Sequence, residues 1–136
     1  LEFRRVLFRS DIRIPHMGWN EIRLENPSPL LDGGIEGQYF YFVHSYYAEV
    51  SDACRPYIAA TCSYGVPFIA SVRKDRPFAT QFHPELRRGD FLERCHAYPQ
   101  YVNEIAGLPL DEFIKTVQET PQAHHLIRRF VDHVLP

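Results

Sequence analysis

The sequence predicts an α/β fold in which a region of strands and turns precedes a region of helices. From Asp11 to about Phe82, short apolar and β-branched runs alternate with Pro, Gly and Asp, which is typical of strands joined by turns. After His83 the apolar residues recur with a helical period. The 136 residues, of which 45% are hydrophobic, suffice for one core but not for two ordinary domains.

The first strands flank a loop. Ile22 to Leu24 is a short strand candidate, and Pro27 to Gly37 is a loop because two prolines and three glycines interrupt it. Gln38 to Tyr46 is the strongest strand of the chain, since it is rich in aromatic and β-branched residues and apolar on both faces. We expect this strand to lie inside the sheet.

Three further strands follow in close succession, at residues 57–63, 66–73 and 77–82. Tyr64 and Gly65 form the first turn, and the charged residues 74–76 form the second. Connections this short favour antiparallel neighbours. The sequence therefore predicts an antiparallel group of strands.

Three helical stretches follow. The first begins an apolar stripe with Phe91, Leu92 and Cys95. For the second, Asp111 is a candidate N-cap residue, and its apolar face consists of Phe113, Ile114 and Val117. The last helix begins near Pro121, and its stripe suits packing on a sheet. That stripe consists of Leu126, Ile127, Phe130, Val131 and Val134.

Composition excludes several classes of protein. Fifteen Lys and Arg against 17 Asp and Glu give a net charge of −2, which argues against nucleic acid or an anionic membrane as partner. The longest apolar runs fall far short of the roughly 20 residues of a membrane span. Three cysteines without a CxxC pair indicate neither a disulfide framework nor a zinc site, and the seven histidines lack metal-binding spacing. A reducing cytoplasm is the default location.

Residues 1–10, LEFRRVLFRS, resemble the translation of a sequencing adapter. We interpret them as a non-native segment fused to a native region at residues 11–136. The alternative is a genuine basic strand or helix. On the first interpretation the true start of the gene product is missing.

The most informative motif is Gln81 to Glu85, QFHPE. His83 ends a strand and Glu85 lies two positions further on, so both side chains can point to one side of the sheet. Glu85 can then accept one imidazole N–H and leave the other nitrogen of His83 to deprotonate a nucleophile. The alternative is a surface pair without catalytic function.

Two other segments are candidates for binding. His44, Ser45 and Tyr46 end the strongest strand, where ligands bind in open α/β sheets. A capped strand end with a buried, hydrogen-bonded histidine is the alternative. Residues 15–20, PHMGWN, carry the only Met and the only Trp of the chain beside a Gly, which suits a loop packed on the core or a partner contact.

Together these segments resemble one family. IPHMGWNEI, YFVHSYY, TCSYGVPFIASV and QFHPE stand in the order found in the glutaminase subunit of imidazole glycerol phosphate synthase, a class I (triad) glutamine amidotransferase of histidine biosynthesis. The resemblance covers residues 11 to about 90. It implies the C-terminal part of a flavodoxin-like α/β domain with a mixed sheet, antiparallel strands and C-terminal helices.

The resemblance also implies roles for individual residues. His83 and Glu85 become base and orienter of a Cys-His-Glu triad that hydrolyses L-glutamine. The strand end at His44, Ser45 and Tyr46 becomes the substrate pocket. The implied partner is the cyclase subunit, which forms a heterodimer with this subunit and receives the ammonia. The resemblance implies that this subunit needs no cofactor or metal. The expected contacts with the cyclase are Met17, Trp19, Asn20 and Arg87.

The sequence departs from the family in two ways. The nucleophile elbow Gly-x-Cys-x-Gly is absent, and Cys54, Cys62 and Cys95 are expected to be structural, so the chain alone should be inactive on glutamine. Residues 95–121 form an inserted helical stretch. Two alternatives stay open: another class I amidotransferase related to the glutaminase domain of GMP synthase, and a degenerate binding or regulatory subunit.

Overall fold

The computed structural model of the chain describes residues 4–8, 11–74 and 78–134. Strands precede helices, as the sequence predicts. The strands of the described residues are β1 (Arg5–Leu7), β2 (His16–Glu21), β3 (Arg23–Leu24), β4 (Tyr39–His44), β5 (Tyr46–Ala48), β6 (Ile58–Tyr64), β7 (Val66–Arg73) and β8 (Phe78–Thr80). The helices are α1 (Arg88–Ala97), α2 (Pro99–Tyr101) with a π-helical turn (Val102–Ala106), α3 (Leu110–Thr116) and α4 (Ala123–Val134). None of these described helices is long and apolar enough to cross a membrane.

Every strand pairing among the described residues is antiparallel. β6, β7 and β8 are neighbours in one sheet with β3 at its edge, β2 pairs with β4, and β1 pairs with β5. The predicted hairpin of β6 and β7 is confirmed, and Gly65 with a φ of +68° makes the turn. The predicted third strand is confirmed for Phe78–Thr80 but does not continue to Phe82. Pro77 and the turn residues 75 and 76 lie outside the described residues.

The expectation of a loop at residues 15–20 is wrong, because residues 16–21 form β2. This strand pairs with β4 along its whole length, from His16 opposite His44 to Glu21 opposite Tyr39. Backbone pairing outweighs the weak strand propensity of Gly18, which adopts a φ of +146°. The predicted loop at residues 27–37 is confirmed and contains one 3-10 turn.

Strand β4 separates two apolar clusters. Phe40 and Phe42 point into the larger one, while Tyr41 points into a second cluster beneath the helices. Successive residues of a strand face opposite sides, so a strand buried on both faces must be apolar throughout. The second cluster contains Tyr41, Phe91, Cys95, Val102, Ala106, Phe113 and Val117.

Two helical expectations need correction. Pro109, not Asp111, is the N-cap residue of α3, and Asp111 lies in the first turn, where the helix dipole favours a carboxylate. On α4, only Leu126 of the described stripe is buried, because the helix contacts the sheet along a narrower strip than its sequence allows. Ile127, Phe130 and Val131 are 38%, 39% and 42% exposed. The side chain of Val134 lies outside the described residues.

Candidate active site

The backbone around His83 is held between two strands. The amide of Gln81 donates to the carbonyl of Ala70 in β7 at 2.8 Å. Two residues later, the amide of His83 donates to the carbonyl of Tyr41 in β4 at 2.9 Å. His83 is therefore fixed beside the middle of β4 by an isolated antiparallel bridge to Tyr41. The expectation that His83 ends a strand is wrong, because β8 ends three residues earlier, at Thr80.

His83 and Glu85 form the predicted pair. The Nδ1 atom of His83 lies 2.7 Å from Oε1 of Glu85, across Pro84. Because a carboxylate accepts, the proton of a neutral His83 ring is on Nδ1 and the lone pair is on Nε2. Among the described residues, nothing hydrogen-bonds to Nε2, and the side chain is 38% exposed. The geometry suits a general base whose orienter is Glu85.

His44 points away from solvent into the larger apolar cluster. Its Nδ1–H donates to the carbonyl of Tyr46 at 2.9 Å, so its Nε2 carries the lone pair. That Nε2 lies 3.0 Å from Nδ1 of His16, which must donate. The His16 ring stacks between Tyr64, with centroids 3.9 Å apart, and Phe42, at 5.0 Å. The two histidines therefore form a buried chain of two hydrogen bonds, from His16 to His44 and from His44 to the backbone of β5. We call this chain the histidine relay.

Burial keeps this relay neutral. Burial, together with a smaller contribution from the neighbouring His44, lowers the pKa of His16 to about 3. Burial also lowers the pKa of His44; the hydrogen bond to the Tyr46 carbonyl opposes this effect, and the charge of His83 adds to it. His44 thus has the buried, hydrogen-bonded environment that was the alternative to a substrate contact.

Ser45 and Tyr46 offer their backbone at the end of β4. The Tyr46 carbonyl accepts from His44, and the Ser45 carbonyl accepts from the amide of Phe8 at 3.2 Å. Tyr41, which holds His83, precedes His44 by three residues, or about 10 Å along a strand. Both predicted groups of site residues are therefore positioned by β4, which ends at His44 and to which His83 is hydrogen-bonded through Tyr41.

The predicted interface residues lie on β2 and at the start of α1. The ring of Trp19 packs against Tyr41 and Phe91 at 4.8 and 4.7 Å. The side chain of Asn20 donates to the Ser63 carbonyl at 2.8 Å. Met17 is half-buried at a cavity of about 310 Å³ whose wall includes Phe91 and Cys95, and Arg87 is the exposed N-cap residue of α1. Their contact with a partner stays a prediction.

Two residues at the site were not foreseen from the sequence. Tyr41 positions His83 through its carbonyl group, and no side-chain motif signals a backbone acceptor. His16 pairs with His44 although 28 residues separate them. The only available signal was that His16 lies within the PHMGWN segment.

All three cysteines are buried, and none of them forms a disulfide within the described residues. Burial raises the pKa of Cys62 to about 12, a shift that the backbone of Ser63 partly offsets and the Glu21 carboxylate increases. Burial also raises the pKa of Cys95. The hydroxyl of Ser51 donates to the sulfur of Cys54 at 3.1 Å. Because the thiolate is the nucleophile, none of these environments suits an attacking cysteine.

The mixed α/β fold, with its antiparallel strands and C-terminal helices, is consistent with a fragment of a class I glutamine amidotransferase. Among curated proteins, the chain is 46% identical to the imidazole glycerol phosphate synthase subunit HisH of Dechloromonas aromatica (strain RCB) over 82 residues, 60% of the chain and 37% of the relative. It is 43% identical to HisH of Desulfitobacterium hafniense (strain DSM 10664 / DCB-2) over 103 residues, 76% of the chain and 48% of the relative. The subunit of Halobacterium salinarum (strain ATCC 700922 / JCM 11081 / NRC-1) is 46% identical over 84 residues.

These matches confirm the resemblance that the motifs indicated, and the chain is identified as a segment related to the HisH subunits. It spans less than half the length of the relatives quoted above. No protein-family model matches the chain.

Proposed function

We propose that residues 11–136 are the C-terminal part of a glutamine amidotransferase domain that supplies ammonia for histidine biosynthesis. The observation that carries the proposal is the distance of 2.7 Å between Nδ1 of His83 and Oε1 of Glu85, which leaves Nε2 of His83 free to act as a base. The similarity to HisH subunits at 43–46% identity supports the same conclusion.

In the proposed reaction, a thiolate attacks the side-chain amide carbonyl of L-glutamine and ammonia leaves. His83 Nε2 takes the thiol proton and gives it to the departing ammonia. It then takes a proton from the water that cleaves the thioester to glutamate. Glu85 stabilises the imidazolium that forms in each step, and no cofactor or metal takes part.

The substrate contacts are assigned to the backbone of Ser45 and Tyr46. The ring of His44 donates a hydrogen bond to the Tyr46 carbonyl and so helps to fix the backbone of this segment. We therefore assign His44 a positioning role in the substrate pocket. Its side chain is turned into the core, where it lies against Phe68.

The nucleophile is proposed to come from outside this chain. Cys54, Cys62 and Cys95 are buried, and the pKa of Cys62 and of Cys95 is raised by burial. The 136-residue chain alone is therefore expected to be inactive on glutamine. The absence of a disulfide among the cysteines of the described residues fits a reducing compartment, and we propose the cytoplasm.

The proposed partner is the cyclase subunit, which uses the ammonia to make imidazole glycerol phosphate and AICAR. Met17, Trp19, Asn20 and Arg87 are proposed to lie in this heterodimer interface. Trp19 and Asn20 are held by hydrogen bonds to Thr120 and Ser63, so the surface of β2 is rigid before a partner binds.

A growth experiment tests the proposal. Residues 11–136 are joined to the preceding part of the Desulfitobacterium hafniense subunit and produced in a bacterium that lacks its own HisH. We expect growth without histidine, loss of growth with His83→Ala, and retention with the exposed control His125→Ala. A soluble, folded chimera that fails to support growth would favour the binding or regulatory alternative.

A further inference from the structure

Helix α4 has an apolar face that the described residues cover only in part. Ala123 and Leu126 are buried in the larger apolar cluster. The rest of the stripe is exposed, at 38% for Ile127, 39% for Phe130 and 42% for Val131. Because residues three and four positions apart are neighbours on a helix, these last three side chains form one continuous surface, which we call the α4 face.

An ion pair fixes the rotation of α4. Nη2 of Arg129 lies 2.6 Å from Oδ2 of Asp32, and Nη1 of Arg129 donates to the carbonyl of Leu30 at 3.3 Å. These contacts tie another side of the helix to the loop before β4. The helix cannot turn the α4 face inward without breaking them and exposing Leu126. The exposure of the α4 face is therefore a consequence of how the helix is packed.

The α4 face borders a cavity and the edge of a sheet. The cavity, of about 220 Å³, is lined by Phe78, Thr80, Pro84, Leu126, Ile127 and Phe130. Strand β8 is the last in the order β3, β6, β7, β8, and no described strand pairs with its other edge. Folded proteins rarely leave an apolar surface beside an unpaired strand edge, because both promote association. This region is therefore suited to be covered.

The same cavity adjoins the proposed catalytic pair. Pro84, which lines the cavity, stands between His83 and Glu85. The side chain of His83 is 38% exposed, and its Nε2 accepts no hydrogen bond among the described residues. A nucleophile has to come within about 3 Å of its base, whereas the three thiols of this chain are buried. A segment that covers the cavity lies beside the place that a nucleophile has to reach.

We propose that the α4 face, the cavity and the edge of β8 form the docking surface for the part of the amidotransferase domain that carries the nucleophilic cysteine. The relatives support this occupant, because the matches cover 37% and 48% of two HisH subunits and leave more than half of each outside the match. Such a part needs an apolar surface against which to bury its own, and α4 offers one. The inference rests on the proposed function, since only that function requires an external nucleophile.

A second copy of this chain is the competing occupant. A symmetric pair would bury the same α4 face. It would supply no nucleophile, because the thiols of both copies are buried. The proposed active site is complete only with the cysteine-bearing part.

Hydroxyl-radical footprinting tests the docking surface. The 136-residue chain is compared with the chimera in which residues 11–136 follow the preceding part of the Desulfitobacterium hafniense subunit. We expect oxidation of Phe130 to be at least about fivefold slower in the chimera. Oxidation of Tyr98, which is 55% exposed at the end of α1, should be the same in both proteins. Equal oxidation of Phe130 in both proteins would overturn the proposal, whether the face stays open or a second copy already covers it.

Urea unfolding of two matched variants gives an independent test. Val131→Gln should lower the urea midpoint of the chimera by about 1 M, because it places an amide in the docked surface. In the 136-residue chain, where Val131 is exposed, the same change should shift the midpoint by less than about 0.3 M. Asp132→Gln, at an exposed position on the other side of α4, should have a small effect in both proteins.

The 136-residue chain alone can overturn the proposal, even if the chimera does not fold. A loss of about 1 M in its urea midpoint on Val131→Gln would show that the α4 face belongs to the chain's own core. Equal shifts in the chain and in the chimera would overturn the proposal as well.

These measurements separate the docking surface from the proposed reaction. A chimera that shields Phe130 but does not support growth without histidine would support the docking surface and contradict the proposed function. A chimera that supports growth while Phe130 is oxidised as fast as in the chain alone would overturn the docking surface and leave the proposed function standing.

Discussion

The Nδ1 atom of His16 lies 3.0 Å from the Nε2 atom of His44, and both side chains are buried. The pair joins the first residue of β2 to the last residue of β4, and its hydrogen bond to Tyr46 extends the link to β5. Aromatic rings surround His16, and none of its contacts within the described part of the chain is with a carboxylate that would stabilise a positive charge. The relay therefore holds the strand end near the proposed substrate pocket in its neutral state.

This relay predicts acid sensitivity. His16 has a folded-state pKa of about 3 and an unfolded-state pKa of about 6.5, so the unfolded state binds more protons between these values. The free energy of unfolding is unaffected above pH 6.5 and falls as the pH drops below it, by about 1.4 kcal/mol per pH unit from this group. Urea unfolding between pH 7 and pH 4 measures the effect.

A matched pair of variants isolates the source of that dependence. His16→Phe keeps an aromatic ring between Tyr64 and Phe42 and removes the titrating group, so stability should depend less steeply on pH. His125→Ala, at an exposed position of α4, should leave the pH dependence of the free energy of unfolding unchanged. An unchanged slope in His16→Phe would show that other groups cause the acid sensitivity.

The pair of His83 and Glu85 predicts a particular tautomer. Glu85→Ala removes the acceptor that fixes the proton of the neutral ring on Nδ1. In nitrogen-15 NMR spectra of the full chain, we expect His83 to be the Nδ1–H tautomer, and we expect this preference to be lost in Glu85→Ala. Glu93→Ala, an exposed control on α1, should preserve it. A predominantly Nε2–H ring in the unaltered chain would contradict the assigned roles.

The turn at Gly65 predicts a contrast between two glycines. Gly65 has a φ of +68°, and a Cβ atom there would lie 3.0 Å from the Ile12 side chain. Gly65→Ala should therefore cost about 1–2 kcal/mol of the free energy of unfolding. Gly89→Ala, within α1 and in open space, should stabilise the chain by about 0.5 kcal/mol. Urea denaturation of both variants checks the contrast, and equal effects would contradict it.

Local signals were sufficient for the elements that depend on near neighbours. The hairpin of β6 and β7 follows from two apolar runs around Gly65, and β4 follows from its aromatic run. The motif QFHPE likewise contains both members of the dyad, although a turn from His83 to Leu86, and not the extended backbone that the sequence predicts, brings Glu85 to His83. These parts of the fold and site were predictable.

Distant contacts determined the rest. Strand β2 contains Gly18 and Asn20, which favour loops, and it becomes a strand because β4 supplies partners for its backbone. The orientation of His44 depends on His16, which no local pattern links to it. The stripe on α4 is longer than its contact with the sheet, so sequence periodicity overestimated its burial. Each of these outcomes depends on residues far away in the sequence.

The most direct test of the central claim is glutamate release from L-glutamine by purified protein. We predict no release by the 136-residue chain alone, because its three thiols are buried, and measurable release by its chimera with the preceding part of the Desulfitobacterium hafniense subunit. His83→Ala should lower the rate of the chimera by at least about 100-fold, whereas His125→Ala should not change it. Release by the chain alone, or a chimera that stays active without His83, would contradict the account.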